Sequence, residues 1–421
     1  VSLRKFPNAS FVFNDVFSQG ANSQPGDTLI FARRIYLQFS IWEVLFSSVS
    51  IKEINVEEAV VNIHIREDKK DNYRIWKEDS TSSQGLFTLE QVSLDDVRTS
   101  VTSTQSGFRS HFDVQQLTFN GNFEESDYKL ENEGKLHIHE VWLDETRYLN
   151  SIPLQTAFTL QGYNDSLLVK PATVKWDDLV FDFATTTTEK QTRLKASSEN
   201  MNLSTVQKLL KDQGWHSFKD AEIKGKGSAS FSAVFKEGEK SQFRVDFVTD
   251  KSSIEGYKSA RVKDISCSGS YVNNGNADRL EINRFEGKGK TGEVKGDLVI
   301  RDLTNPFVKL NLLSDLELAE WLVLFPIDTV ENAKGKAIID LHFENQFGSL
   351  KEMKASELRK ARTEGSLKIE GASFQFLKSD KTVNNINGEL AFLGNNLEVK
   401  RLYFKTGESD IYLEGRFGNV L

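Results

Sequence analysis

One cysteine, Cys267, stands in a chain of 421 residues. That excludes an internal disulfide framework and any metal site built on several thiolates. Proline (6), methionine (2) and histidine (6) are scarce as well, and no His-Glu-x-x-His or similar cluster appears. No apolar run approaches the roughly 20 residues of a membrane-spanning helix. The longest, Trp321 to Phe325, is far shorter. Excess positive charge is also missing. The formal net charge is −8, whereas broad nucleic-acid binding needs a cationic surface to neutralise phosphates. The chain opens at Val1 rather than Met and closes straight after a strand pattern, so it reads as a piece of a longer protein.

What is present is phenylalanine, 30 residues of it, beside Val, Ile and Thr, a mixture that favours strands. Hydrophobic residues make up 38% and charged residues 27%, the balance of a folded chain. Side chains alternate between the two faces of a strand, so a one-sided sheet shows apolar residues at every second position. Ala337, Ile339, Leu341 and Phe343 alternate in this way with Asp340 and His342. The pattern recurs at Leu367/Ile369, Phe374/Phe376, Leu390/Phe392, Leu397/Val399 and Ile411/Leu413. Gly335, Gly365, Gly388 and Gly415 read as small turns opening these strands. Earlier strands are expected at Phe11/Phe13, Ile35/Leu37/Phe39, Ile51 to Val56, Val61/Ile63/Ile65, Leu136/Ile138, Phe158/Leu160 and Val180 to Phe183. A short helical turn is expected at Ile41 to Phe46, and a flexible connection at Lys77 to Gln84.

Two short amphipathic helices are predicted, over 203–211 and 316–325. Ser204-Thr205-Val206-Gln207 and Ser314-Asp315-Leu316-Glu317 both carry capping-box spacing. Leu318, Trp321, Leu322 and Phe325 follow at i, i+3, i+4 and i+7. Each helix leads to a glycine element and a strand: Gly225 and Gly227 before Phe231/Ala233/Phe235, and Gly335 before Ile339/Leu341/Phe343. The offset, about 110 residues, points to a diverged internal repeat. The chain divides on this reading into segments 1–80, 81–200 and 201–421, the last being the repetitive one.

Signals for chemistry are thin. Gly287-Lys288-Gly289-Lys290-Thr291 resembles the end of a phosphate-binding loop, but Arg284 stands where the first glycine belongs and a strand pattern follows instead of a helix. His137 and His139 share a strand face without an obvious third ligand, so no metal is expected. The acidic pairs Asp177-Asp178 and Glu124-Glu125 read as solvated turns, and Cys267 as a strand position. No catalytic residues, no cofactor and no enzyme activity are expected. The remaining signal is the apolar strand face itself. It is either the core of a closed sandwich or an open trough for acyl chains, and alternation fits both.

Several stretches resemble the AsmA-like family of envelope proteins. They are Phe6-Pro7 through Val16, Ala32 to Phe39 with Trp42-Glu43-Val44-Leu45, Ile51 to Val56 with Val60 to Ile63, and the meander Ile386-Asn387-Gly388-Glu389-Leu390 through Gly407-Glu408-Ser409-Asp410-Ile411-Tyr412-Leu413-Glu414-Gly415. The loop at Glu57-Glu58-Ala59 lacks a proline often found there. The resemblance implies a mostly β fold: an elongated, curved antiparallel β-sheet forming a groove, similar to the chorein-type bridge proteins. It further implies a periplasmic protein anchored in the inner membrane by a segment absent from this chain. Such a protein takes part in outer-membrane biogenesis by conducting phospholipids, with phospholipid acyl chains and outer-membrane proteins as partners and no nucleic acid. The groove candidates are the alternating apolar residues Phe231, Phe235, Ile339, Leu341, Phe343, Phe374, Phe376, Leu390 and Phe392. The competing expectation is a β-rich scaffold or adhesin-like module with a closed core, binding protein or glycan.

Overall fold

In the computed structural model, the alternating stretches become strands far longer than the patterns that reveal them. The structure describes residues 2–5, 8–20, 28–40, 51–68, 71–72, 89–104, 107–122, 128–143, 145–163, 166–188, 190–213, 221–236, 238–256, 260–324, 330–349, 357, 360–376 and 382–418. The expected features at Ile41 to Phe46, Lys77 to Gln84, Glu124-Glu125 and Phe325 lie outside these residues. The fold class is the expected one: antiparallel, curved β-sheet with, among the described residues, two short helices.

The chain forms two compact units. One comprises residues 1–196 with 212–214, the other 197–211 with 215–421. The first unit therefore holds residues on both sides of position 80. Its strands are β1 (Ser2–Lys5), β2 (Asn8–Gln19), β3 (Thr28–Ser40), β4 (Ile51–Ile65), β5 (Gln91–Ser103), β6 (Phe108–Asn122), β7 (Lys129–Leu143), β8 (Thr146–Tyr163), β9 (Ser166–Trp176) and β10 (Leu179–Thr188). β11 (Gln191–Asn202) is divided, residues 191–196 belonging to the first unit. Neighbours in sequence pair antiparallel from β1 to β10, with one exception. β5 runs parallel to β4, from Glu53↔Gln91 to Ile65↔Ser103. Its core, Ala32, Val56, Ala59, Val97, Val114 and Leu117, comes from one face of β3 to β6.

The second unit takes in the end of β11 from residue 197 and helix α1 (Leu203–Asp212) up to Lys211, then β12 (Glu222–Lys236), β13 (Gln242–Glu255), β14 (Arg261–Asn273), β15 (Asp278–Lys288), β16 (Glu293–Arg301) and β17 (Phe307–Ser314). Helix α2 (Leu318–Leu324) follows, then β18 (Val330–Gln346), β19 (Arg362–Phe376), β20 (Thr382–Gly394), β21 (Asn396–Thr406) and β22 (Ser409–Gly418). β12 to β22 form an uninterrupted antiparallel meander.

Three readings of the sequence need correction, each for a local physical reason. Ile51–Val56 and Val61–Ile65 are one strand, β4, and Leu367/Ile369 and Phe374/Phe376 are one strand, β19. In each, the apolar parity changes at a left-handed residue without ending the strand; in β19 this is a β-bulge with an extra residue, whereas β4 keeps its register with β3 and β5 on both sides of the change. The residues are Glu58 (φ 53°) in β4 and Gly371 (φ 57°) in β19. Second, Gly335, Gly365, Gly388 and Gly415 lie inside β18, β19, β20 and β22 rather than in turns before them. Third, the caps move. Asn202 receives the Ser204 N–H at 3.2 Å at the start of α1. At α2 the Glu320 carboxylate reaches back to the Glu317 N–H at 3.0 Å, half of a capping box three residues beyond the expected one.

The internal repeat is visible in these bulges. Gly225 (φ 126°) follows α1 and Gly335 (φ 95°) follows α2. A Cβ at Gly225 would lie 2.7 Å from Ser252 Cα, and one at Gly335 would lie 2.5 Å from Ala372 Cα. Across the ladder sit the left-handed residues Lys251 and Gly371. Matched bulges on adjacent strands bend a sheet in one direction, which gives each repeat its curvature.

Candidate apolar binding face

Register places all nine candidates on one face of the second unit. Leu341 on β18 pairs through Gly365 with Phe392 on β20, and Ile339 pairs through Leu367 with Leu390. Phe343 aligns with Leu310 on β17 and stacks on Phe347 at 6.1 Å. Ile369 and Ala372 pair with Gly388 and Ile386, two residues apart on β20, so the face continues across the Gly371 bulge to Phe374 and Phe376. Phe231 belongs to a separate stretch of the same face, the row Phe231–Val245–Tyr271–Leu280–Ile300–Val308. Phe235 lies beyond it on β12, on the face of Phe231 by strand alternation. The structure thus brings the β18, β19 and β20 candidates together and leaves the two β12 residues several strands away.

Sequence reasoning passed over the strands between. A row runs from Thr249 through Cys267, Phe285, Gly296 and Leu312 to Leu341, then on to Phe392, Leu397 and Phe417. The alternation of Phe243, Val245 and Phe247 was the available signal. Glycines form low points along this surface: Gly296 between Phe285 and Leu312, and Gly365 between Leu341 and Phe392.

The degree of cover decides what such a face can do. None of the nine side chains is fully buried, and Phe235 is 38% exposed. Opposing sheets in a sandwich interdigitate and bury the inward residues of both. Burial on this face is local: beneath α2, where Val262, Val294 and Leu316 are 0% exposed, and around Ile300, Val308 and Phe347. The opposite face is laced with ion pairs along and between strands, among them Arg244–Asp246 (2.5 Å), Lys295–Glu293 (2.6 Å), Arg362–Glu364 (2.9 Å) and Lys368–Glu370 (2.6 Å). Arg244 holds the Asp246 carboxyl below the usual range, and Lys368 does the same for Glu370. That side belongs in water.

The remaining motifs have structural partners. Gly287 to Thr291 forms the end of β15 and its hairpin turn, closed by Gly289 N–H to Gly292 C=O at 2.8 Å. The Lys290 N–H is taken by the Glu320 carboxylate at 2.5 Å, and the Glu293 N–H by Asp315 at 2.6 Å. His137 and His139 stack at 4.8 Å, with His139 beside Asp113 at 2.9 Å and His137 beside Ser151 at 3.2 Å. Among the described residues, no three His, Cys, Asp or Glu side chains converge as metal ligands. Asp177-Asp178 is the turn between β9 and β10. Cys267 is half-buried in the apolar row, and burial pushes its thiol pKa up, away from nucleophile behaviour at neutral pH.

The tie at Asp315 has a pH signature. The Glu293 N–H, and then Lys336 at 3.2 Å, hold this carboxyl below its ordinary value. Its stabilising contribution is therefore complete above the unfolded carboxylate pKa of about 3.9 and is lost as pH falls through the lower folded value. Asp315→Asn is expected to flatten that part of the stability profile, measured as urea midpoint between about pH 2 and 5. An unchanged acid limb would contradict the tie.

Among the described residues, no helix is long and apolar enough to cross a membrane. No protein family, curated protein or solved structure matches this chain.

Proposed function

We propose that this chain is a non-enzymatic, lipid-shielding envelope protein of the AsmA-like type. Its apolar face holds the acyl chains of phospholipids while the headgroups stay in water. On this reading the protein works in the periplasm, conducts phospholipids towards the outer membrane, and is anchored in the inner membrane through a part of the protein outside this chain. The observation that carries the reading is the apolar face of β12 to β22, continuous in register and half-buried over most of its length. A lipid crossing water exposes its chains at about 0.8 kcal/mol per CH₂. A trough of this kind removes that cost without a reaction, cofactor or metal.

Native mass spectrometry of the purified chain tests the proposal by looking for co-purified phospholipid. The single thiol supplies an independent probe, because Cys267 lies within the apolar row. Filling the face with phospholipid is expected to slow maleimide labelling of Cys267 by roughly tenfold, since a thiol covered by acyl chains is shielded from an aqueous reagent. No lipid in the mass spectrum, together with labelling indifferent to added lipid, would leave the closed scaffold as the better account.

A further inference from the structure

Helix α2 lies on the face assigned to lipid. It packs against β13, β14 and β18, although β15, β16 and β17 separate β14 from β18 in the sheet. Beneath it, Val262, Ile265 and Val294 meet Leu316 and Leu324 in a buried cluster of the mostly half-open face; another lies at Ile300, Val308 and Phe347. The helix thus covers a place on a face whose residues are elsewhere mostly half-buried.

Its composition is unusual for a surface helix, which normally turns polar residues outward. In Leu-Ala-Glu-Trp-Leu-Val-Leu the one charged residue, Glu320, is 3% exposed, while Leu318, Trp321 and Leu322 remain half-exposed. Val323 (4% exposed) and Leu324 (7%) are buried with Glu320, Trp321 packs against the same cluster, and Leu318 and Leu322 stay partly exposed, so the helix is apolar on both sides. That suits a segment whose surroundings are acyl chains on one side and an apolar wall on the other. A helix of 7 residues is not stable by its own hydrogen bonds, so its contacts hold it in place. Glu320 provides the polar contact, accepting the Lys290 N–H at 2.5 Å. Gly289 makes room for it, because a Cβ there would lie 2.2 Å from the carboxylate. Asp315 and the Leu316 carbonyl, which accepts the Ala337 N–H at 3.1 Å, anchor the segment before the helix.

We propose that α2 is a displaceable lid: an internal occupant of the apolar face that acyl chains replace to reach Val262 and Val294, latched by Glu320 on the Lys290 turn. This rests on the lipid reading and adds regulation to it.

The test is a covalent staple. A Cβ at Gly256 lies 3.5 Å from Val323 Cβ, at the near edge of the roughly 3.5–4.5 Å range of disulfides. Gly256→Cys with Val323→Cys, in a Cys267→Ser background, ties α2 to the end of β13. The protein is incubated with vesicles containing a photoreactive phosphatidylcholine, and adducts are mapped by peptide mass spectrometry. Oxidation is expected to lower adducts on the Val262 and Val294 peptides roughly tenfold, about 1.4 kcal/mol in occupancy, with recovery on reduction. Adducts on the Leu341 and Leu390 peptides are expected to stay unchanged. Glu320→Ala alone is expected to raise the Val262 and Val294 adducts. Equal adducts in the oxidised and reduced states overturn the lid, and so does their absence in both, which makes α2 a fixed wall. Absence of adducts at Leu341 and Leu390 as well sinks the lipid reading itself, and the lid with it.

Discussion

Replacing Leu341 with glutamate is expected to reduce capture of a photoreactive phospholipid by β18 to β20 at least tenfold, roughly 1.4 kcal/mol or more, while the melting temperature falls by only a few degrees. Leu341 sits in the middle of the row Leu312–Leu341–Gly365–Phe392 and is half-buried. With no bound lipid, a carboxylate there can turn to water across the space above Gly365, so the fold has little to lose. With an acyl chain laid over it, the same carboxylate must give up its water or neutralise, and its cross-strand partners, Leu312 and Gly365, carry no charge. Binding and stability therefore separate. In a closed core they fall together, because an unpaired buried charge unfolds the domain. Running crosslinking and thermal melts on one preparation distinguishes the two outcomes. A collapsed melt, with no lipid ever captured by the parent chain, would return the face to the role of an ordinary core.

The largest loss of stability is expected at Gly365. Gly365→Val places a β-branched residue at φ 130°, and its Cβ would lie 2.0 Å from the Asp340 carbonyl oxygen. The backbone strain alone costs about 1–3 kcal/mol. The clash is with main chain, which cannot rotate away, so β18 and β19 must separate or shift register. A total of roughly 4 kcal/mol or more is expected, read as a lower urea midpoint. Gly394→Val, where nothing lies within 4 Å of the added Cβ, controls for glycine replacement at positive φ without a clash. Equal effects at the two positions would mean that strain, and not close approach of the strands, requires Gly365.

Period-two alternation made the sheet legible. Ile339, Leu341 and Phe343 share a face because successive side chains on any strand must point oppositely. The same rule put all nine candidates on the face where register places them. The rule fails where parity changes. Ile54/Val56 followed by Val61/Ile63 looks like two strands, because the left-handed residue Glu58 shifts the apolar parity within one strand and mimics a break. The glycines misled for a related reason: Gly365 is required by the approach of a neighbouring strand, which is distant in sequence. The Gly287 to Thr291 motif likewise acquires its role from Glu320, 30 residues away along the chain.

Composition and alternation alone determined that this chain forms antiparallel sheet with one apolar and one charged face and two short helices, because those properties follow from nearest-neighbour geometry. They could not determine whether the apolar face is covered. Cover depends on where strands bend, where the chain returns, and which segment lies across the surface, and these are contacts between residues far apart in sequence. Tertiary structure decided that β12 to β22 share one continuous face, that most of it stays half-open, and that α2 closes the stretch over Val262 and Val294.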